Sequence, residues 1–247
     1  MQQRAPGYAT SAGIRLLELL VERHGELFVT GEVVEAAETL GISRSHAYKL
    51  LHALTRSRFL RRLPTGLYVV SSAIAGGAEP HSFAIATHLV RPSAISHWSA
   101  LHHWGLIEQV PFVVTASTPK SVVTPEMRKP SETPVRRREH AGWVIDGIRY
   151  EFIRIQPRDM FGIDQIWVDA RAQVPIFDKE RALLDAFVHL RGFGAAGLGE
   201  QILAEHPEEI DREKLVRYAV EMGRPRVMTR VRSALGETDR SGPGSIG

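Results

Sequence analysis

Arg44, Lys49, Arg56, Arg58, Arg61 and Arg62 fall within a stretch, 39–78, that contains no Asp or Glu. Cations that face no acids favour a polyanion, and phosphodiesters are the natural one. Ala47, Leu50, Leu51 and Leu54 recur at i, i+3, i+4 and i+7, which is the buried stripe of a helix. At about 100° per residue, Ser45, Lys49, His52 and Arg56 then project from the opposite side, flanked by Arg44, His46 and Tyr48. All four of the projecting side chains can donate hydrogen bonds. Such a face suits the acceptor-rich edges of bases in a major groove.

The elements needed to hold that helix are present upstream and downstream. Ile14, Leu17, Leu20 and Val21 predict a first helix over 10–25, with Gly25 as its stop. Thr30 is the expected N-cap of a second helix carrying Val33, Val34, Ala37 and Leu40. Gly41 supplies a tight turn and Ser43 a cap for the third helix. Phe59–Leu63 and Leu67–Val70 are β-prone runs around Pro-Thr-Gly, a hairpin signal that places Arg61 and Arg62 on a wing. Three helices and a hairpin in this order make a winged helix-turn-helix, and the expected contacts to double-stranded DNA are Arg44, Ser45, His46, Tyr48, Lys49, His52, Arg56, Arg61 and Arg62. The alternative is a small helical domain with a solvated basic face.

At 247 residues the chain has room for two modest domains. The fold class expected is α+β: a winged helix-turn-helix at 1–75, a larger mixed α+β domain at 81–236 and a disordered tail at 237–247, with the boundary in SSAIAGGAEP, 71–80. The net charge of +3 is small, so the basic signal is local. The lack of cysteine excludes disulfides, thiolate catalysis and Cys-ligated zinc. No apolar run is long enough to span a membrane and the N-terminus lacks a signal-peptide core, so a cytoplasmic location is expected.

In the second domain, helices are expected over 82–89 and 92–104, and a strand over 112–116. An irregular loop is expected over 117–134, and Asp146-Gly147 should turn a hairpin between Trp143–Ile145 and Ile148–Ile153. Strands near 165–168 and 174–177 precede helices at 179–190, 197–206, 211–222 and 225–235. His97, His102 and His103 invite a metal, but a spacing of five is off the i, i+4 pattern and packed histidines are the better reading. Asp159, Asp164 and Asp169 suit neither a helix face nor a strand face and read as loop carboxylates. Asp178 is the simplest N-cap of the following helix, with Glu180 and Arg181 as structural partners. The glycines of 192–199 follow a helix rather than a strand, which argues against a phosphate cradle. Arg136–Arg138 form a second basic cluster, read as a solvated strand edge or as a nucleic-acid contact. No catalytic constellation stands out, so no enzymatic activity, metal or cofactor is expected.

Two segments carry a family resemblance: AISHWSALHHWGL (94–106) with the following EQVP and FVVTAS, and IFDKERALLD (176–185). With the N-terminal winged helix they resemble the AbiEi family, antitoxins and autorepressors of abortive-infection toxin–antitoxin systems of type IV. The resemblance runs from about Ile14 to about Leu190. It implies repression of the chain's own operon at inverted repeats. It also implies neutralisation of a cognate nucleotidyltransferase-type toxin, with no stable complex required. The competing readings are a plain winged-helix repressor whose second domain senses a ligand or dimerises, and a nucleic-acid enzyme targeted by the winged helix.

Overall fold

The computed structural model describes residues 11–72, 79–123, 141–170, 172–188 and 197–237. The proposed linker at 73–78, the Arg136–Arg138 cluster, most of the glycine run and the tail beyond 237 lie outside them. By its contacts the chain divides into two units, Met1–Arg91 with Trp167–Val174, and Pro92–Ile166 with Pro175–Gly247.

The first unit has the order α1 (Ser11–His24), β1 (Leu27–Val29), α2 (Thr30–Thr39), α3 (Arg44–Arg56), β2 (Leu60–Arg62), β3 (Leu67–Val70) and α4 (Ser82–Leu89). β1, β3 and β2 form an antiparallel sheet in that order, with Phe28 opposite Tyr68 and Arg62 opposite Tyr68 on the other side. One core binds the three helices to this sheet: Leu16, Leu17 and Leu20 of α1, Val33, Ala36 and Ala37 of α2, the stripe of α3, and Phe28, Leu60 and Tyr68. The buried row of α1 therefore runs through Leu16 rather than Ile14, which is half-buried. β1 was not expected. Three residues are too few for alternation to show, and pairing with β3 makes the strand.

Thr30 does not cap α2. Val29 is the cap residue, and the Glu32 carboxylate reaches back to accept its N–H at 2.7 Å. The Thr30 hydroxyl instead donates to the Gly66 carbonyl at 3.1 Å, fastening the tip of the wing to the start of α2.

The second unit centres on a six-stranded mixed sheet of order β6-β7-β5-β4-β9-β8. Its elements are β4 (Ala94–Ile95), α5 (His97–His103), β5 (Val113–Thr118), β6 (Ala141–Ile145), β7 (Ile148–Arg154), β8 (Ile163–Trp167) and β9 (Gln173–Phe177), of which Trp167, Gln173 and Val174 are counted by contacts with the first unit. Four helices follow: α6 (Lys179–Phe187), α7 (Leu198–Glu205), α8 (Arg212–Met222) and α9 (Pro225–Ala234). The mixed α+β class is as expected. Asp146 and Gly147 both take positive φ (52° and 80°), the two-residue turn that their types demand.

Three expectations are corrected here. Residues 92–104 are not one helix, because Ala94–Ile95 pair with both β5 and β9, and the helix starts only at His97. Ser117 and Thr118 belong to β5 and not to a loop. Asp164 is not in a loop, because the strand expected near 165–168 runs from Ile163 to Trp167 and includes it.

Candidate nucleic-acid interface

The third helix is set by its own N-terminus. Ser43 is extended (φ −63°, ψ 150°), and its hydroxyl accepts the His46 N–H at 3.4 Å. Gly41, at φ +69°, makes the preceding turn, a conformation costly for any residue with a Cβ. Ala47, Leu50, Leu51 and Leu54 are all at most 4% exposed. Burying that stripe leaves the opposite face no choice but solvent, and Arg44, Ser45, His46, Tyr48, Lys49, His52 and Arg56 are indeed exposed. The helix itself, Arg44–Arg56, carries no acid, although Glu38 of α2 acts on Arg44 from nearby.

The side chains differ in readiness. The Arg44 guanidinium lies 5.9 Å from the centroid of the Tyr48 ring and donates to its hydroxyl at 3.5 Å, so the two form a stacked pair at the helix start. Tyr48 is 42% accessible and offers a flat aromatic face beside a cation. Arg61 and Arg62 alternate on β2, as neighbours in a strand must. Arg62 is exposed, whereas Arg61 is half-buried and bonded to Glu79 at 3.3 Å. The structure therefore places Arg62 with the free cations and Arg61 with an acid beyond the acid-free stretch. Arg58 joins the free cations. It occupies the turn after α3 at φ +62° and is exposed. The basic gap in the sequence contained it, but its reach depended on a turn that residue types alone did not reveal.

The motifs of the second unit meet in its interior. α5 packs against α6, and the Trp104 indole donates to the Phe177 carbonyl at 2.7 Å. His97 Nδ1 accepts or donates at 2.9 Å with the Ser96 hydroxyl and lies 3.5 Å from Asp185 Oδ2. Asp178 does cap α6, accepting the Arg181 N–H at 2.8 Å, and it also takes the Tyr218 hydroxyl at 2.8 Å. Burial and that hydrogen bond push the Tyr218 hydroxyl up to about 12.

Glu180 and Arg181 are not partners of one another. Glu180 pairs with Lys214 at 2.8 Å and accepts the Asp211 N–H, whereas Arg181 pairs with Asp185 one turn along. Arg181 and Asp185 face one another at i, i+4, whereas adjacent residues on a helix point apart, which leaves Glu180 to Lys214 of α8. Arg181 is 1% exposed and lies 4.3 Å from the Phe177 ring centroid and 5.0 Å from that of Phe161. Asp159 is no loop carboxylate in water: it is 2% exposed and bonded to Arg224 at 2.8 Å. Among the described residues, no group of three His, Asp or Glu side chains converges as a metal site would require.

With this geometry established, residues 11–64 match the IclR helix-turn-helix domain family. The matched segment contains α1 to α3 and β2, the parts that present the basic face. The N-terminal domain is thus an IclR-type helix-turn-helix, a DNA-binding domain that fits a transcriptional regulator. The chain is also similar in fold to the crystal structure of RV2827C protein from Mycobacterium tuberculosis, at a TM-score of 0.55 and 15% identity over 94% of this chain and 83% of that one. No curated protein matches the chain in sequence. Among the described residues no helix is long and apolar enough to cross a membrane.

Proposed function

We propose that this chain is a non-enzymatic cytoplasmic repressor and antitoxin. It binds inverted repeats in its own operon through α3 and the wing. It also counters a nucleotidyltransferase-type toxin encoded beside it. The observation that carries the DNA-binding part is the outer face of α3, where Lys49, His52 and Arg56 stand exposed opposite a fully buried stripe. In this reading α3 enters the major groove, Ser45, Lys49 and His52 reach base edges, and the cations around them hold phosphates.

The antitoxin part rests on the AbiEi resemblance. It is supported by the way the two motif segments pack together, through Trp104 to Phe177 and His97 to Asp185. Segments distant in sequence that build one interior are what a shared domain would retain. The direct test has two arms. Footprinting of the chain on DNA upstream of its own gene should protect paired half-sites. Co-expression of the full chain with the product of the adjacent nucleotidyltransferase-type gene should restore growth. Protection without rescue leaves a plain winged-helix repressor; rescue without protection removes the autorepressor.

A further inference from the structure

We propose that a cavity in the second unit binds a small organic anion, a carboxylate or phosphate head on a short apolar body. The site is independent of the antitoxin reading. It measures about 420 Å³, within the range of roughly 300–1,000 Å³ usual for small-molecule pockets. It opens beside the end of β7 and is lined by Arg154, Arg181, Arg224 and Asp185, with Ile155 and Met222 among its apolar walls.

The charges around it do not balance. Arg181 donates to Asp185, and Arg224 donates to Asp159 at 2.8 Å. Two carboxylates thus answer two of the three guanidiniums. The third, Arg154, is exposed and has neither an ion-pair nor a hydrogen-bond partner among the described residues. A guanidinium is a planar fork of N–H donors that matches the two oxygens of a carboxylate or phosphate, so the unanswered cation selects an oxyanion.

The floor of the cavity carries the second sign of a ligand site. Arg181 Nε, an N–H donor, is buried without a hydrogen-bond partner although its side chain is otherwise held firmly, whereas Asp185 Oδ2 is approached by His97 Nδ1 at 3.5 Å. Buried polar atoms are nearly always satisfied, and exceptions mark places where something else is accommodated. A rigid, ion-paired floor with an apolar wall and a free arginine at the mouth orients an amphipathic anion: head toward Arg154, body against Ile155 and Met222.

Isothermal titration calorimetry on the full chain tests this with phenylacetate, phenyl phosphate and, as a cation of like shape, phenethylamine. We expect saturable binding of at least one of the two anions, and no binding of the amine. The head that binds distinguishes the carboxylate from the phosphate source. Arg154→Ala should weaken that binding at least tenfold. It should leave the melting temperature of the unliganded protein unchanged, since Arg154 holds nothing. Arg158→Ala, an exposed arginine nearby that does not line the cavity, should bind as the parent does. The proposal is overturned if neither anion binds at about 10 mM, if the amine binds as well as the anions, or if Arg154→Ala binds undiminished.

Discussion

Replacing Arg62 by Ala should change how DNA binding responds to salt more than replacing its neighbour Arg61. Arg44, Lys49, Arg56, Arg58 and Arg62 are exposed, and Arg61 is half-buried against Glu79. Each phosphate neutralised contributes about −0.9 to the slope of log K against log salt, so five free cations give a slope of about −4.5 per bound chain. Between about 50 and 200 mM KCl that slope lowers affinity about 500-fold. Arg62→Ala should bring the slope to about −3.6 and the loss to about 150-fold. Arg61→Ala should move the slope by less than about half a unit, because that guanidinium has to leave an acid before it can meet a phosphate. Fluorescence anisotropy on a labelled duplex of random sequence measures all three without knowledge of the operator. A parent slope flatter than about −2, or equal effects of the two substitutions, would refute the division between free and occupied cations.

Lys49→Ala should cost about 1–3 kcal/mol on the operator and little on random duplex, measured by the same anisotropy assay; an equal loss on both would make Lys49 a phosphate contact. Gly162→Ala should lower the melting temperature by roughly 5 °C or more. Gly162 has φ +62°, and a Cβ there would sit 2.8 Å from the Arg181 Cβ and 2.9 Å from the Tyr218 ring, so an unchanged melt would contradict that packing. Burial, with Arg91 nearby, pushes the His88 imidazole down to about 4. The unfolded chain then holds the extra proton, so this contribution is intact above the ordinary histidine value and lost as pH falls through about 4, to the extent of about 3 kcal/mol. Urea unfolding of the parent and of His88→Asn at pH 7 and pH 4.5 checks the sign: the acid loss should be smaller in the variant.

Much of the first unit was legible because its signals are local. The stripe of α3, the Ser43 cap and the Gly41 turn depend on residues within a few positions of one another, and the periodicity shows them directly. Asp146-Gly147 and the Asp178 cap were readable for the same reason. What escaped was made by distant partners. Thr30 looks like a cap until Gly66 takes its hydroxyl, and the Ala94–Ile95 strand exists because β5 and β9 lie on its two sides. Glu180 and Arg181 are adjacent in sequence, yet Lys214 and Asp185 claim them. The burial of Asp159 required Arg224, 65 residues away. In the interface, exposure separated Arg62 from Arg61, and only the position of Glu79 could show that one of two consecutive arginines is already engaged.

The assignment of Trp167–Val174 to the same unit as Met1–Arg91 has a consequence for how this protein is made and inherited. The N-terminal unit is drawn from two stretches of polypeptide, and the second emerges from the ribosome only after β4 to β7 and most of β8 have been synthesised. The core of the DNA reader, which runs from Leu16 to Val70, precedes that stretch, but the unit as a whole cannot be completed cotranslationally ahead of its companion, as domains laid end to end can. A single recombination junction near Arg91 would transplant the reader's core without the Trp167–Val174 stretch. Exchange of the whole unit needs two further junctions, around Ile166 and Val174, in one event. Exchange of the complete unit is thereby harder than exchange of the reader's core alone.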